Sequence, residues 1–268
     1  KEALDADLVA KFDDTTVKAK LGMTGFSAPR YQLQADIDRI DLDRYLVAQK
    51  DAKPAPSAGP KVAVDVPVDL SALEGLRVDG KLSVGWMQLM GLKFSALEAE
   101  LRAANGRADI APHSAKLYEG TLQGAMTLAA RGNRIALKET LSGVAIGPLV
   151  KDLMGRDAVE GRGNVSVDLT ADGPTVNALK KSLAGTARIE LKDGAVKGVD
   201  LTEALRKTRA AFGSRSAQQQ PTDTAQRTDF SAMSASFVVQ DGVARNDDLD
   251  VRAPLVRVGG AGAIDIGN

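Results

Sequence analysis

Five two-residue turn signals punctuate this chain, each beside a stretch in which apolar and polar residues alternate: Asp79-Gly80, Asn105-Gly106, Asp172-Gly173, Asp193-Gly194 and Asp241-Gly242. Asn-Gly and Asp-Gly adopt positive φ at little cost, which suits the tight primed turns that fold one strand back on the next. The alternation between them supplies strands with one apolar face. Together these features predict a mainly β chain: a curved antiparallel sheet, open as a groove or packed as a sandwich, built from successive hairpins. A sheet of that kind needs no catalytic centre.

The alternation begins with Leu33, Ala35 and Ile37, set against Gln34, Asp36 and Asp38. It is strict at Val62, Val64, Val66, Val68 and Leu70, where Pro67 points to an edge strand or a strand end. It returns at Leu82, Val84 and Trp86, at Leu122, Met126 and Leu128, at Val165, Val167 and Leu169, at Ala187, Ile189 and Leu191, and at Val256 and Val258. Lys81, Ser83, Gln123, Ser166, Asp168, Arg188, Glu190 and Arg257 occupy the opposite face.

About three short helices interrupt the pattern. Pro148 to Met154 ends at Gly155. Pro174 to Ala184 has Pro174 at its first position and Gly185 as its C-terminal cap. Asp200 to Phe212 opens on a capping box of Asp200 and Glu203 and stops at Gly213. Residues 48–61 form a Pro/Ala/Ser linker between an N-terminal β segment (1–47) and a larger β-rich domain (62–268). Residues 213–228 are polar, low in complexity and expected to be a mobile loop.

Composition excludes several functions. Lys and Arg total 35, as do Asp and Glu, and no basic stripe is present, so nucleic acid is not the expected partner. The absence of cysteine removes disulfides and thiol chemistry. No apolar run reaches the roughly 20 residues of a membrane-spanning helix. The start at Lys1 and the stop within strand-like alternation at Ile264 to Asn268 read as a fragment whose targeting segment has been removed.

Candidate chemistry is sparse. The acids Asp36, Asp38, Asp41 and Asp43 suggest calcium, but Ile40, Asp41 and Val47 stand where an EF-hand loop from Asp36 needs a ligand, a glycine and a glutamate. They read as a polar face followed by a turn. His113, the single histidine, follows Pro112 in an expected turn, with no ligand set beside it and no G-x-S-x-G in the chain. Gly161-Arg-Gly163 and Gly260-Ala-Gly262 are not completed as dinucleotide loops and read as close approaches or bulges within strands. No catalytic residue, metal or cofactor is expected.

An ordered set of segments resembles the AsmA family. Ile37-Asp-Arg-Ile-Asp-Leu-Asp-Arg-Tyr-Leu46 comes before the linker, followed by Leu76-Arg-Val-Asp-Gly-Lys-Leu82 and Gly91-Leu-Lys-Phe94. Ala115-Lys-Leu-Tyr-Glu-Gly-Thr-Leu122 and Gly143-Val-Ala-Ile-Gly-Pro-Leu149 come next. The most specific is Asp193-Gly-Ala-Val-Lys-Gly-Val-Asp-Leu201, and Phe230-Ser-Ala-Met-Ser-Ala-Ser-Phe237 and Gly262-Ala-Ile-Asp-Ile-Gly267 close the set.

The resemblance implies the C-terminal region of a bacterial envelope protein, periplasmic and tethered to the inner membrane by an N-terminal helix absent from this chain. It implies a role in outer-membrane biogenesis, with phospholipid or another envelope lipid carried along an apolar β-groove. The expected lipid-contacting side chains are Leu82, Val84, Trp86, Val165, Val167, Leu169, Ile189, Leu191, Val256 and Val258, with Leu153, Leu183 and Leu205 of the short helices capping the groove. Trp86 also reads as a core residue. The alternatives are a scaffold for envelope assembly proteins that modulates outer-membrane protein insertion, and an envelope hydrolase built around His113 or the Asp36 to Asp43 acids. The alternation alone does not separate an open groove from a closed core.

Overall fold

The computed structural model describes residues 3–25, 27–44, 65–197, 227–254 and 256–267, the side chain of Met154 excepted. The first strands are β1 (Ala3–Phe12), β2 (Thr15–Thr24), β3 (Arg30–Asp41), β4 (Val78–Leu89), β5 (Leu92–Ala104) and β6 (Arg107–Leu117). Then come β7 (Gly120–Ala129), β8 (Arg134–Ala145), β9 (Val159–Asp172), β10 (Ala184–Lys197), β11 (Arg227–Gln240), β12 (Val243–Arg252) and β13 (Arg257–Asp265). All 13 lie in one sheet in chain order, with β1 and β13 as its edges. Over the described residues the sheet is open and one layer deep, and the sandwich form of the expectation is not found among them. Every neighbouring pair is antiparallel except β3 and β4, which run parallel because a long crossover carries the chain back between them.

Only two of the five turn signals close hairpins. Asn105-Gly106 (φ 54° and 75°) joins β5 to β6, and Asp241-Gly242 (φ 51° and 73°) joins β11 to β12. Asp79-Gly80 is internal to β4, and Asp193-Gly194 sits in β10 at a register shift. Asp172-Gly173 leads out of β9 towards a helix. Other tight loops use Asp13-Asp14, Met90-Gly91 and Tyr118-Glu119. Tertiary partners offset their weaker propensity. The backbone N–H groups of Met90 and Gly91 and the Gln88 amide all donate to the Asp43 carboxylate, the Gly91 bond being 2.8 Å.

Among the described residues, residues 42–44 are helical after β3, and two complete helices lie in later connections. Helix α1 (Ile146–Met154) begins before Pro148 and ends at Gly155, whose φ of 68° allows its N–H to reach the Lys151 carbonyl at 2.9 Å. Helix α2 (Val176–Ser182) is capped by Thr175, which accepts the Ala178 N–H, rather than started by Pro174. It stops at Leu183; Gly185 belongs to β10. A single 3-10 turn spans Ser71–Leu73. The expected helix Asp200 to Phe212, linker 48–61 and most of loop 213–228 fall outside the described residues. Arg227 and Thr228, expected in that loop, pair instead with Lys197 and Val196 in the sheet.

The strict alternation expected to form a strand at 62–70 behaves differently over its described part. Asp65 to Leu70 runs as a strap with one isolated bridge, Pro67 to Thr175. Pro67 has no N–H to donate to a ladder. The strap is fastened at points: the Val68 N–H donates to the Pro174 carbonyl (2.8 Å), the Leu70 N–H to Asn133 Oδ1 (3.2 Å), and the Asn133 amide to the Val68 carbonyl (2.8 Å).

Strap and helix cover opposite ends of one sheet face. At the strap end, Leu73 and Leu76 pack on Val78, Ala103 and Ala108. At the other end, Leu149 and Val150 of α1 pack on a cluster of Leu117, Val144, Ile146, Leu191, Phe230 and Val251. Ile146, Leu149 and Val150 follow the i, i+3, i+4 spacing of one helix face. Leu153, expected to plug the groove, points away and is 53% exposed. Leu183 ends α2 half-buried, and Leu205 is outside the described residues.

Asp43→Ala is expected to lower stability by about 1–2 kcal/mol, since it orphans the donors of the β4–β5 turn. Burial pushes the Asp43 carboxyl up, but the donors from Gly91, Gln88 and Met90 outweigh it and hold it below the ordinary value. The difference from wild type should therefore be full above about pH 4 and vanish as pH falls through the depressed value, as read by urea unfolding at several pH values.

Candidate functional site

Side chains directly opposite each other in neighbouring strands share a face. One unbroken register row runs from β3 to β11: Ala35, Leu82, Ala99, His113, Gly124, Glu139, Val167, Ala187 and Phe237. The next row belongs to the other face and is polar: Asp36, Ser83, Glu98, Ser114, Gln123, Thr140, Ser166, Arg188 and Ser236. The ladder therefore sorts the chain into an aliphatic face and a charged one.

The proposed lipid-contacting residues separate into groups. Leu82, Val167 and Leu169 are half-buried on the aliphatic face, between the two covered ends. Val165, Ile189 and Val258 are half-buried against the α1 cluster. Val84 (2% exposed) and Leu191 (3%) are covered by the protein's own atoms. Val256 is half-buried in the turn before β13, where it exchanges backbone hydrogen bonds with Ala253.

Trp86 lies on the charged face. Its register row is Arg39, Trp86, Ser95, Lys116 and Thr121, and the Arg39 guanidinium stands 5.3 Å from its ring centroid. The adjacent row, Ile40, Met87 and Phe94, is the apolar one, and Phe94 packs on the α1 cluster. The pleat slips between Val84 and Trp86, where the β3 and β4 backbones crowd so closely that a Cβ on Gly85 would lie 2.5 Å from the Asp38 carbonyl oxygen. Ala96 on β5 takes a positive φ of 49° beside the slip.

Hollows of about 870 and 580 Å³ lie over the charged rows of β1 to β7, lined by Asp7, Lys20, Lys81, Glu98, Glu100 and Arg102 among others. Exposed pairs such as Lys81–Glu100 (3.5 Å) and Arg102–Asp79 (3.2 Å) cross this face and add little stability. The acids Asp38, Asp41 and Asp43 serve local structure. Asp38 accepts the Thr16 and Arg39 N–H groups (2.7 and 2.6 Å), and Asp41 pairs with Arg44 at 3.2 Å. Among the described residues no group of three or more His, Asp or Glu side chains could hold a metal. Nor is any described helix long and apolar enough to cross a membrane.

Helix α1 is held to the sheet end by Asp152, which accepts from Lys93 Nζ (2.9 Å) and the Tyr118 hydroxyl (2.8 Å). Burial, then the bond to Asp152, pushes the Tyr118 phenol up to about 12, so it remains a donor.

His113 is not in a turn. It lies in β6, just past a register shift, on the aliphatic face. Its Nε2 is 2.8 Å from Glu139 Oε1, and the two side chains are 11% and 7% exposed. Its Nδ1 is 3.1 Å from the Ile110 carbonyl oxygen. The carboxylate lies over Gly124, where a Cβ would overlap Glu139 Oε2 and the Lys138 carbonyl oxygen. The contact with Glu139, opposed by burial and aided by the Ile110 carbonyl, raises the His113 pKa above the ordinary histidine value. Sequence reasoning missed this pair because its members are 26 positions apart (139 − 113). The available signal was Glu139 in phase with Ile135, Leu137 and Leu141 on β8.

In comparisons with known proteins, the model of the AsmA family matches residues 24–249. No curated protein and no solved structure matches the chain.

Gly124→Ala should cost about 1–3 kcal/mol by displacing the Glu139 carboxylate and crowding the β8 backbone. Because the His113 pKa is raised on folding, the stabilisation from the pair is complete below about pH 6.5 and is lost as pH rises through the folded value. The stability gap between wild type and His113→Ala should therefore narrow with rising pH in denaturant titrations; a gap independent of pH would contradict the pairing.

Proposed function

Because the chain belongs to the AsmA family, a family of envelope proteins, we propose that its aliphatic sheet face contacts the acyl chains of phospholipid or another envelope lipid and supports lipid movement in outer-membrane biogenesis. The observation that carries this reading is a continuous aliphatic face, one layer deep, whose middle is packed on no second sheet among the described residues. Transfer of each chain CH₂ from water to such a face is worth about 0.8 kcal/mol. The contacts are non-directional, so a chain can slide without breaking specific bonds. The charged face stays in water. The proposed setting is the periplasm, with a tether to the inner membrane through a helix outside this sequence. The proposed role is non-enzymatic, in keeping with a family not known for catalysis.

Native mass spectrometry of protein purified from a lipid-containing host is expected to show bound phospholipid. Val167→Asp and Leu82→Asp, in the middle of the aliphatic face, should abolish that adduct while leaving the circular dichroism spectrum unchanged. Folded variants that retain lipid would refute the assignment of the face. A lipid-free wild-type mass would favour a scaffold for envelope assembly proteins instead.

A further inference from the structure

His113 and Glu139 are the basic and acidic side chains that the described strands present on the aliphatic face, and the lipid-contact reading uses neither. They lie in the middle of that face, between the strap end (Ala108, Ile135) and the α1 end (Leu117, Val144).

The geometry constrains the protonation of His113. A carbonyl oxygen only accepts, so the 3.1 Å contact with Ile110 requires a hydrogen on His113 Nδ1. In a neutral ring of that tautomer, Nε2 would be a bare lone pair 2.8 Å from a carboxylate oxygen. Against an ionised Glu139 the contact holds together only when Nε2 is also protonated, as an imidazolium against a carboxylate. Even then, neither Glu139 oxygen accepts an aligned hydrogen bond among the described residues, although the side chain is 7% exposed. Burying a carboxylate so incompletely matched costs stability, and an aliphatic residue at position 139 would avoid that cost.

We propose that Glu139, steadied by His113, receives the ammonium group of an amphiphile whose chain lies along the aliphatic face. This rests on the lipid-contact reading and adds the chemistry of the head group. An ammonium has three donors and a full positive charge, which match the unsatisfied carboxylate. The carboxylate turns from its seat over Gly124 to meet it. Two cations cannot share one buried carboxylate cheaply, so His113 gives up its Nε2 proton to solvent as the ammonium binds. An anionic head group would be repelled by Glu139. On this face β5, β7 and β9 turn aliphatic side chains to the pair (Leu97, Leu122, Met126, Val165 and Leu169), and among the described strands no further titratable group faces it. Glu98, Lys138 and Asp168 project from the opposite face.

The test is calorimetric titration of the full chain with dodecylamine, dodecanol and dodecanoate, below their aggregation limits, at about pH 6 and about pH 8, on either side of the ordinary histidine range. At the higher pH dodecylamine should bind about tenfold more tightly than dodecanol, the gain of one charge-assisted hydrogen bond. The preference should shrink at the lower pH, and dodecanoate should bind most weakly. Glu139→Gln keeps the side-chain shape and should bring dodecylamine to the dodecanol level at both pH values. Its dodecanol affinity reports whether the face is intact. Equal binding of all three probes to wild type, or a preference retained in Glu139→Gln, overturns the proposal and leaves the lipid-contact reading standing. If no probe binds, both fall.

Discussion

In a sheet one layer deep, backbone pairing has a double task. It satisfies the main-chain donors and acceptors, and it decides which side chains stand together on each face. Among the described residues no second sheet corrects an error, and a one-residue slip would turn a strand's whole aliphatic set towards the charged side. The unbroken row from Ala35 to Phe237 shows the ladder keeping phase through strands of quite different sequence. Where phase is lost, as between Val84 and Trp86, the neighbouring strands slip together and the two faces stay separate.

Such a sheet has a large hydrophobic face, covered at its two ends. The two ends are treated alike by unrelated means. The β3–β4 crossover brings Leu73 and Leu76 over Val78, Ala103 and Ala108, while the β8–β9 connection brings α1 over Leu117, Val144 and Phe230. Each cover is fastened by polar contacts at the rim: Asn133 for the strap, Asp152 for the helix. Among the described residues the middle has only neighbouring side chains as cover. That division concentrates packing at the ends and leaves the centre as the place where the proposed chain-shaped guest would gain most. The His113–Glu139 pair stands in that centre, as the polar exception in an aliphatic field.

Much of the fold was legible because alternation is a local property. Leu33, Ala35 and Ile37, or Val165, Val167 and Leu169, identify strands and their apolar faces without knowledge of any partner. The ends of α1 were nearly as plain, since Gly155 is a local C-terminal signal. The turn signals were less reliable. Asp79-Gly80 and Asp193-Gly194 carry the right residues, yet lie inside strands, because the pairing of β4 and β10 with both neighbours outweighs a two-residue preference. Conversely, Met90-Gly91 turns with the help of Asp43, a residue remote in sequence.

What the chain determined alone was its class and its two-faced character: period-two runs, little aromatic bulk, balanced charge and no thiol chemistry permit little besides a one-sided β sheet. Tertiary structure decided that the sheet stays open, that the 65–70 segment is a strap, that Trp86 faces charge, and that a histidine and a glutamate meet over Gly124. These outcomes depend on register between strands. Register is set by the sum of many paired contacts across the sheet, so a reading confined to one strand at a time identifies the faces but not which residues meet on them.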